Sequence, residues 1–259
     1  MSFGSPHPFL NEMHDWPVMH TGHSAKRGPL YHRYVLRRHR RQGGNTTRRR
    51  LRDRLDRLRS RPLIHLILWQ FGLAKSETQT TDAERDCLAR HASGKKMLAE
   101  IGVYHGVTTC RLRRAMDPGG VLVAIDPYPK QRLGFSAQRM IARREVARIK
   151  SGTVRWLRTT GVEAARQLNK EKIASFDFVF IDGDHTWEGL KGDWEGWSPL
   201  IAPGGVVTLH DSRATPTRQI ENDGSVRYTR EVISRDRGFE TIDTIDSVTV
   251  LRKRSSRLM

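Results

Sequence analysis

Four apolar runs in this chain end on residues that can do chemistry. The first passes through Ala99-Glu100-Ile101-Gly102 into Val103-Tyr104-His105-Gly106, a turn with glycines four apart. Loops that cradle a dinucleotide pyrophosphate need G-x-G-x-x-G, so this spacing departs from them, and an acidic Glu100 suits a ligand with a positive end. The second run stops at Asp126, 24 residues after Gly102, where a carboxylate can accept both hydroxyls of a ribose. The third stops at Asp182-Gly183-Asp184-His185 and the fourth at His210-Asp211. An imidazole among carboxylates can serve as a general base, and the same groups can ligate a cation. A lone Asp after a strand is ordinarily a cap or turn former. Several such ends in order along one chain are far more specific.

These residues need a frame that brings run ends together. Apolar, β-type runs fall at 96–103, 121–126, 153–158, 176–182, 205–210, 240–245 and 247–252, with helical stretches between them at 137–149, 162–169 and 187–200. Continuous apolar runs alternating with helices predict a parallel sheet covered on both faces. In such sheets the ligand lies beyond the carboxyl ends of the strands. The last two runs have only Asp246 between them and should pair as an antiparallel hairpin at an edge. Thr81-Asp82-Ala83-Glu84 has the S/T-x-x-E pattern of a capping box and should open a helix to about His91. Trp187, Trp194 and Trp197 recur at helical distances and are expected to pack in the core.

The 259 residues carry 46 Lys+Arg against 28 Asp+Glu, a net charge of +18, with 37% apolar residues and two cysteines. That composition excludes a wholly disordered chain, a disulfide scaffold and a collagen-like fibre. Cys87 and Cys110 lack a C-x-x-C partner and read as small buried side chains. The charge is uneven: residues 26–61 hold 15 Lys+Arg and two Asp, which is +13 of the total. Residues 1–61 therefore read as a basic arm, largely disordered or helical, with Leu51, Leu55 and Leu58 forming a narrow stripe on a basic helix and Pro62 ending it. His7, His14, His20 and His23 lack ligand spacing. The stretch at 63–73, LIHLILWQFGL, is too short to span a bilayer. It can lie on an anionic membrane surface or pack on the following domain as its first helix. No signal-peptide pattern opens the chain, so a cytoplasmic protein is expected, with peripheral attachment at the inner membrane face as an extension of that reading.

From about residue 80 to 254 the sequence resembles the class I S-adenosylmethionine-dependent methyltransferases, in particular a small O-methyltransferase-like group with a D-G-D-H motif. The matching segments are EIGVYHG, AIDPYP, FDFVFIDGDHTWEGLKGDWEGWSPLIAPGGVVTLHDS and DTIDSVTVLRK. The resemblance implies a Rossmann-like, doubly wound seven-stranded sheet of order 3-2-1-4-5-7-6 with strand 7 antiparallel, over residues 62–259. It implies that Glu100, Gly102 and Gly106 shape the loop at the methionine part of S-adenosylmethionine and that Asp126 holds the ribose. Thr160, in the adenine-side loop, departs from the commoner acidic or Ser pattern. Asp182, Asp184 and His185 would border the sulfonium and the acceptor. Metal-dependent relatives place a divalent ion at positions matching Asp182, His210 and Asp211; oxygen-rich ligands suit magnesium, but the strand-five pair of those relatives is not ordinarily His-Asp, and His210 would shift preference toward manganese, iron or zinc. A general base at His185 or His210, or a His210 that only caps its strand, competes with the metal.

The implied function is methyl transfer to a hydroxyl of a small molecule or glycan. Alternatives are an RNA or protein methyltransferase recruited by the arginine-rich arm, and a non-catalytic binding protein on the same fold. No N-P-P-Y-like tetrapeptide follows the fourth run, which counts against base N-methylation. Partners left open are nucleic acid or an anionic membrane at residues 26–61, and a second copy of the chain.

Overall fold

The apolar runs become strands because their β-branched and aromatic side chains can be covered on both faces of one sheet. The computed structural model describes residues 62–129, 134–173 and 175–255. The basic arm with Leu51, Leu55 and Leu58, and the four early histidines, lie outside them. In chain order the elements are α1 (Pro62–Gln70), α2 (Asp82–Ala92), β1 (Met97–Ile101), α3 (Val107–Ala115), β2 (Val121–Ile125), α4 (Ala137–Ala147) and β3 (Thr153–Leu157). They continue with α5 (Gly161–Lys170), β4 (Phe176–Ile181), α6 (Trp187–Trp197), β5 (Ile201–Leu209), α7 (Gly224–Glu231), β6 (Phe239–Ile245) and β7 (Val248–Lys253).

The sheet order is β3-β2-β1-β4-β5-β7-β6, with β7 antiparallel to both neighbours, as the resemblance implies. Its register explains why the chemistry meets at one edge. Ile101 pairs with Ile125 and with Ile181, and Ile181 pairs with Leu209. Gly102, Asp126, Asp182 and His210 are each the next residue, so they stand side by side on adjacent strands. The ladder runs one rung further through Gly102 N to Ile125 O (2.9 Å), Asp182 N to Ile101 O (2.8 Å) and His210 N to Ile181 O (3.0 Å).

Two apolar layers cover the sheet. One joins β1, β2, β4 and β5 to α5 and α6 through Ile101, Ile125, Ala165, Leu168 and Trp197. The other packs Leu88 and Leu112 of α2 and α3 onto Leu98, Leu122, Phe178 and Phe180. Trp194 and Trp197 are core residues as expected, and Trp197 Nε1 donates to Gly161 O (3.0 Å), tying α6 to α5. Trp187 is only partly covered and meets Tyr228 edge-on. Cys87 and Cys110 are buried and unbridged.

Two local expectations change. The helix predicted at 187–200 ends at Trp197, and Pro199 falls in a 3-10 turn over Ser198–Leu200 before β5 begins at Ile201. The basic helix that Pro62 is expected to end lies outside the described residues. Helices α3 and α7 arise where no capping pattern was read; α3 starts instead on Gly106 in a left-handed conformation (φ 77°). Among the described residues, no helix is long and apolar enough to cross a membrane.

Candidate active site

The loop after β1 is held from two sides. Asp126 Oδ2 accepts from Val103 N (3.1 Å) and Tyr104 N (2.9 Å), while its Oδ1 accepts from Tyr128 N (2.8 Å). Burial nonetheless pushes this carboxyl above the usual range. From the other side Tyr104, itself left-handed (φ 52°), donates its hydroxyl to Glu77 Oε2 (2.6 Å), and Glu77 N donates to His105 Nδ1 (3.0 Å). Burial pushes His105 down to about 3, so a neutral ring accepts that bond. Gly102 has φ 91°, and a Cβ there would lie 1.9 Å from the Asp182 carbonyl oxygen. The turn therefore presses directly onto the end of β4.

Behind the turn, Glu100 is wholly buried with both carboxylate oxygens lacking a hydrogen bond. Burial drives its carboxyl well above the usual range. A buried acid without a partner is costly, and a cationic ligand end at this place would satisfy it.

At the ends of β4 and β5 the charged groups form a chain. His210 Nδ1 is 2.8 Å from Asp182 Oδ1, and its Nε2 lies 3.5 Å from Glu84 Oε2, an ion-pair rather than a hydrogen-bond separation. Glu84 is wholly buried. It is N3 of the α2 capping box: Oε2 accepts from Thr81 N (2.8 Å), while Oε1 accepts from Ser247 N (2.9 Å) and Ser247 Oγ (2.7 Å) in the β6–β7 turn. Burial opposes charge on His210, but the Asp182, Glu84 and Asp211 carboxylates outweigh it and raise the imidazole to about 10. Burial likewise opposes charge on Glu84, and the neighbouring His210 charge with the bonds from Thr81 and Ser247 brings it down to about 2. Both shifts describe one charged pair at neutral pH.

His185 is the imidazole open to a ligand, with about a quarter of its side chain exposed. Its Nε2 is 3.5 Å from Asp182 Oδ1 and 4.0 Å from Asp211 Oδ2. Asp211 is left-handed (φ 48°) and its Oδ2 is paired with Arg218. Its Oδ1, 3.9 Å from His210 Nε2, has no hydrogen bond.

The remaining expected residues stand apart from this cluster. Asp184 Oδ1 accepts from Thr186 N (2.9 Å) in the turn that opens α6. Thr160 is the N-cap of α5 in a second capping box with Glu163, and Gly106 caps α3.

Of the residues expected to hold a metal, Asp182 and His210 are in direct contact (2.8 Å) and Asp211 lies 3.9 Å from His210 Nε2. Asp182, His185 and His210 offer donor atoms within 4.8 Å of one another, with His185 in the place expected of Asp211. A resident magnesium or manganese ion does not fit them. The set is poor in oxygen, His210 Nδ1 is spent on Asp182, and the Arg218 guanidinium already neutralises Asp211.

A seven-stranded sheet of this order, with a glycine turn after β1 and acids at the ends of β1, β2 and β4, has the Rossmann-like fold of the S-adenosylmethionine-dependent methyltransferases. Residues 99–212, just under half of the chain, match the family model described as a methyltransferase domain. A probable O-methyltransferase of Mycobacterium tuberculosis is 32% identical over 130 residues, covering 48% of this chain and 51% of that protein. The chain spans about half the length, or less, of the curated relatives it matches. Among solved structures, the cofactor-bound protein Rv0187 from MTB superposes with a TM-score of 0.55 at 17% identity, over 83% of this chain and all of that one. The O-methyltransferase TomG from Streptomyces achromogenes, in complex with SAM, gives 0.50 at 18% identity over 76% of this chain and 91% of its own. At these identities the two structures speak to fold.

Proposed function

We propose that residues 62–259 form a methyltransferase domain that binds S-adenosylmethionine and methylates a hydroxyl of a small molecule or glycan, with residues 1–61 as an appendage. The observation that carries this reading is the line of Asp126, Glu100, Asp182 and His185 along one sheet edge, with an unsatisfied buried acid, Glu100, within it and an accessible imidazole at one end. When bound, S-adenosylmethionine supplies a methyl group on a sulfonium, already a good leaving group.

The protein's work is then to bind, align and deprotonate. Glu100 faces the positive amino end of the methionine part. Asp126, whose orientation three backbone N–H groups fix, keeps lone pairs for the ribose hydroxyls. Asp182 carries negative charge at the sulfonium and holds His185 in place. His185 would take the proton that the acceptor hydroxyl gives up on methylation, and is the ordinary kind of side chain for that task. His210 has no exposed side-chain surface and a carboxylate at each nitrogen, so it positions Asp182 instead of meeting the acceptor.

Two measurements test the assignment. By titration calorimetry, Asp126→Ala should weaken S-adenosylmethionine binding by ~100-fold, the worth of two charge-assisted hydrogen bonds; unchanged affinity removes the ribose role. Release of S-adenosylhomocysteine across a panel of hydroxyl acceptors should persist under exhaustive chelation. With His185→Gln it should fall by ~10²–10⁴ in kcat while the cofactor affinity is kept.

A further inference from the structure

Helix α1 shows two unlike faces. His65, Leu66 and Trp69 are buried, with Leu66 and Trp69 packed on Ala137 and Ile141 of α4. The helix is also latched to α4: Trp69 Nε1 donates to Glu145 Oε1 (2.7 Å), Arg144 pairs with Gln70, and the Arg148 guanidinium lies 5.6 Å from the Trp69 ring centre. Leu63 and Ile67 on the opposite side, and Phe71 and Leu73 in the turn that follows the helix, face solvent, with Phe71 75% and Leu73 74% exposed. Four large apolar side chains within 11 residues, two on a helix fixed to the domain and two just after it, make an apolar ridge that nothing in the chain's described part covers.

The ground beside the ridge is basic. Helix α4 carries Arg139, Arg143 and Arg144 and is capped by Arg148, which pairs with Glu145 (2.8 Å); Arg143, Arg144 and Arg148 are exposed, with Met140 partly exposed among them. Arg139, Arg143 and Arg144 join Arg158 and Ser136 around a recess of about 380 Å³. In sequence, residues 26–61 immediately before the ridge add a further +13.

We propose that the α1–α4 face docks on an anionic lipid bilayer surface, with Leu63, Ile67, Phe71 and Leu73 entering the acyl boundary and the α4 arginines meeting headgroup phosphates. Apolar side chains ringed by arginine are what an interfacial element needs. The chain's own basic arm does not suit the face, because like charge would meet like. A second copy brings the same charges. Nucleic acid would satisfy the arginines but leave Leu63, Ile67 and Leu73 against a phosphate backbone with nothing to bury them. The inference does not depend on what the domain methylates.

The test uses the full chain in vesicle co-sedimentation. It should pellet with equimolar phosphatidylglycerol and phosphatidylcholine vesicles and stay in solution with phosphatidylcholine alone. The triple change I67S, F71S and L73S, all at exposed positions, should weaken binding by ~tenfold or more, and R143E with R144E by a similar factor, with thermal melts reporting that both variants fold. Pelleting of both folded variants like the unaltered chain overturns the proposal, since the arm alone would then account for binding. So does tight binding to duplex RNA that is indifferent to the triple change and accompanied by no vesicle binding.

Discussion

Gly102→Ala is expected to lose about 4 kcal/mol of stability and with it measurable S-adenosylmethionine binding. The added Cβ would stand 1.9 Å from Asp182 O and 2.7 Å from Asp182 C, both backbone atoms that cannot rotate aside. Relief requires parting β1 from β4 at the rung where Asp182 N donates to Ile101 O. Gly204 provides the control, because it is also left-handed (φ 77°) but has open space around it. Gly204→Ala should cost only the conformational penalty, about 1–2 kcal/mol. Since a domain of this size shifts by roughly 2–4 °C per kcal/mol, the Gly102 variant should melt ~10 °C below the parent. Equal melting of the two variants would mean that close approach of the two strand ends is not what requires glycine.

Glu84→Gln should cost about 3 kcal/mol near pH 6, because it leaves the buried His210 charge with one carboxylate fewer. The pH dependence follows from the two shifts. Glu84 falls from 4.5 to about 2 on folding, so its contribution is complete above about pH 4.5 and disappears as pH drops through 2. His210 rises from 6.5 to about 10, so its contribution is complete below about pH 6.5 and disappears as pH climbs through 10. The advantage of the parent over the variant should therefore be flat between about pH 4.5 and 6.5 and shrink on both sides. Chemical denaturation at a series of pH values measures it; a difference that stays constant up to pH 10 would mean that Glu84 acts only through its bonds to Thr81 and Ser247.

The strand ends were legible because continuous apolar runs stop abruptly at acids, and parallel register then sets Gly102, Asp126, Asp182 and His210 in line. The α2 start was legible because a capping box is wholly local. Glu84 was legible only as a cap: its bonds to Ser247 span 163 residues, and no local pattern encodes them. Asp184 reads like Asp182 in sequence, since D-G-D puts two acids in one turn; a two-residue offset commits the second to Thr186 N. For the metal set, adjacency in sequence favoured Asp211 beside His210, but the chain leaves β5 left-handed at Asp211 and delivers its carboxylate to Arg218. Helix α3 was hidden because its cap is a glycine conformation rather than a side chain, and its first turn is Val-Thr-Thr.

Strand β7 lies between β5 and β6 although it follows β6 in the chain, and the turn that leads into it supplies Ser247 to Glu84. Until that strand is inserted, β5 has an open edge and Glu84 has neither Ser247 bond, so the support of His210 is incomplete. The edge that carries Asp182 and His210 is thus completed by a contact of long loop closure and belongs to the slow end of folding. Every side chain proposed to face the cofactor lies before residue 247, so the part of the chain that carries those groups depends on a later segment to hold them in place.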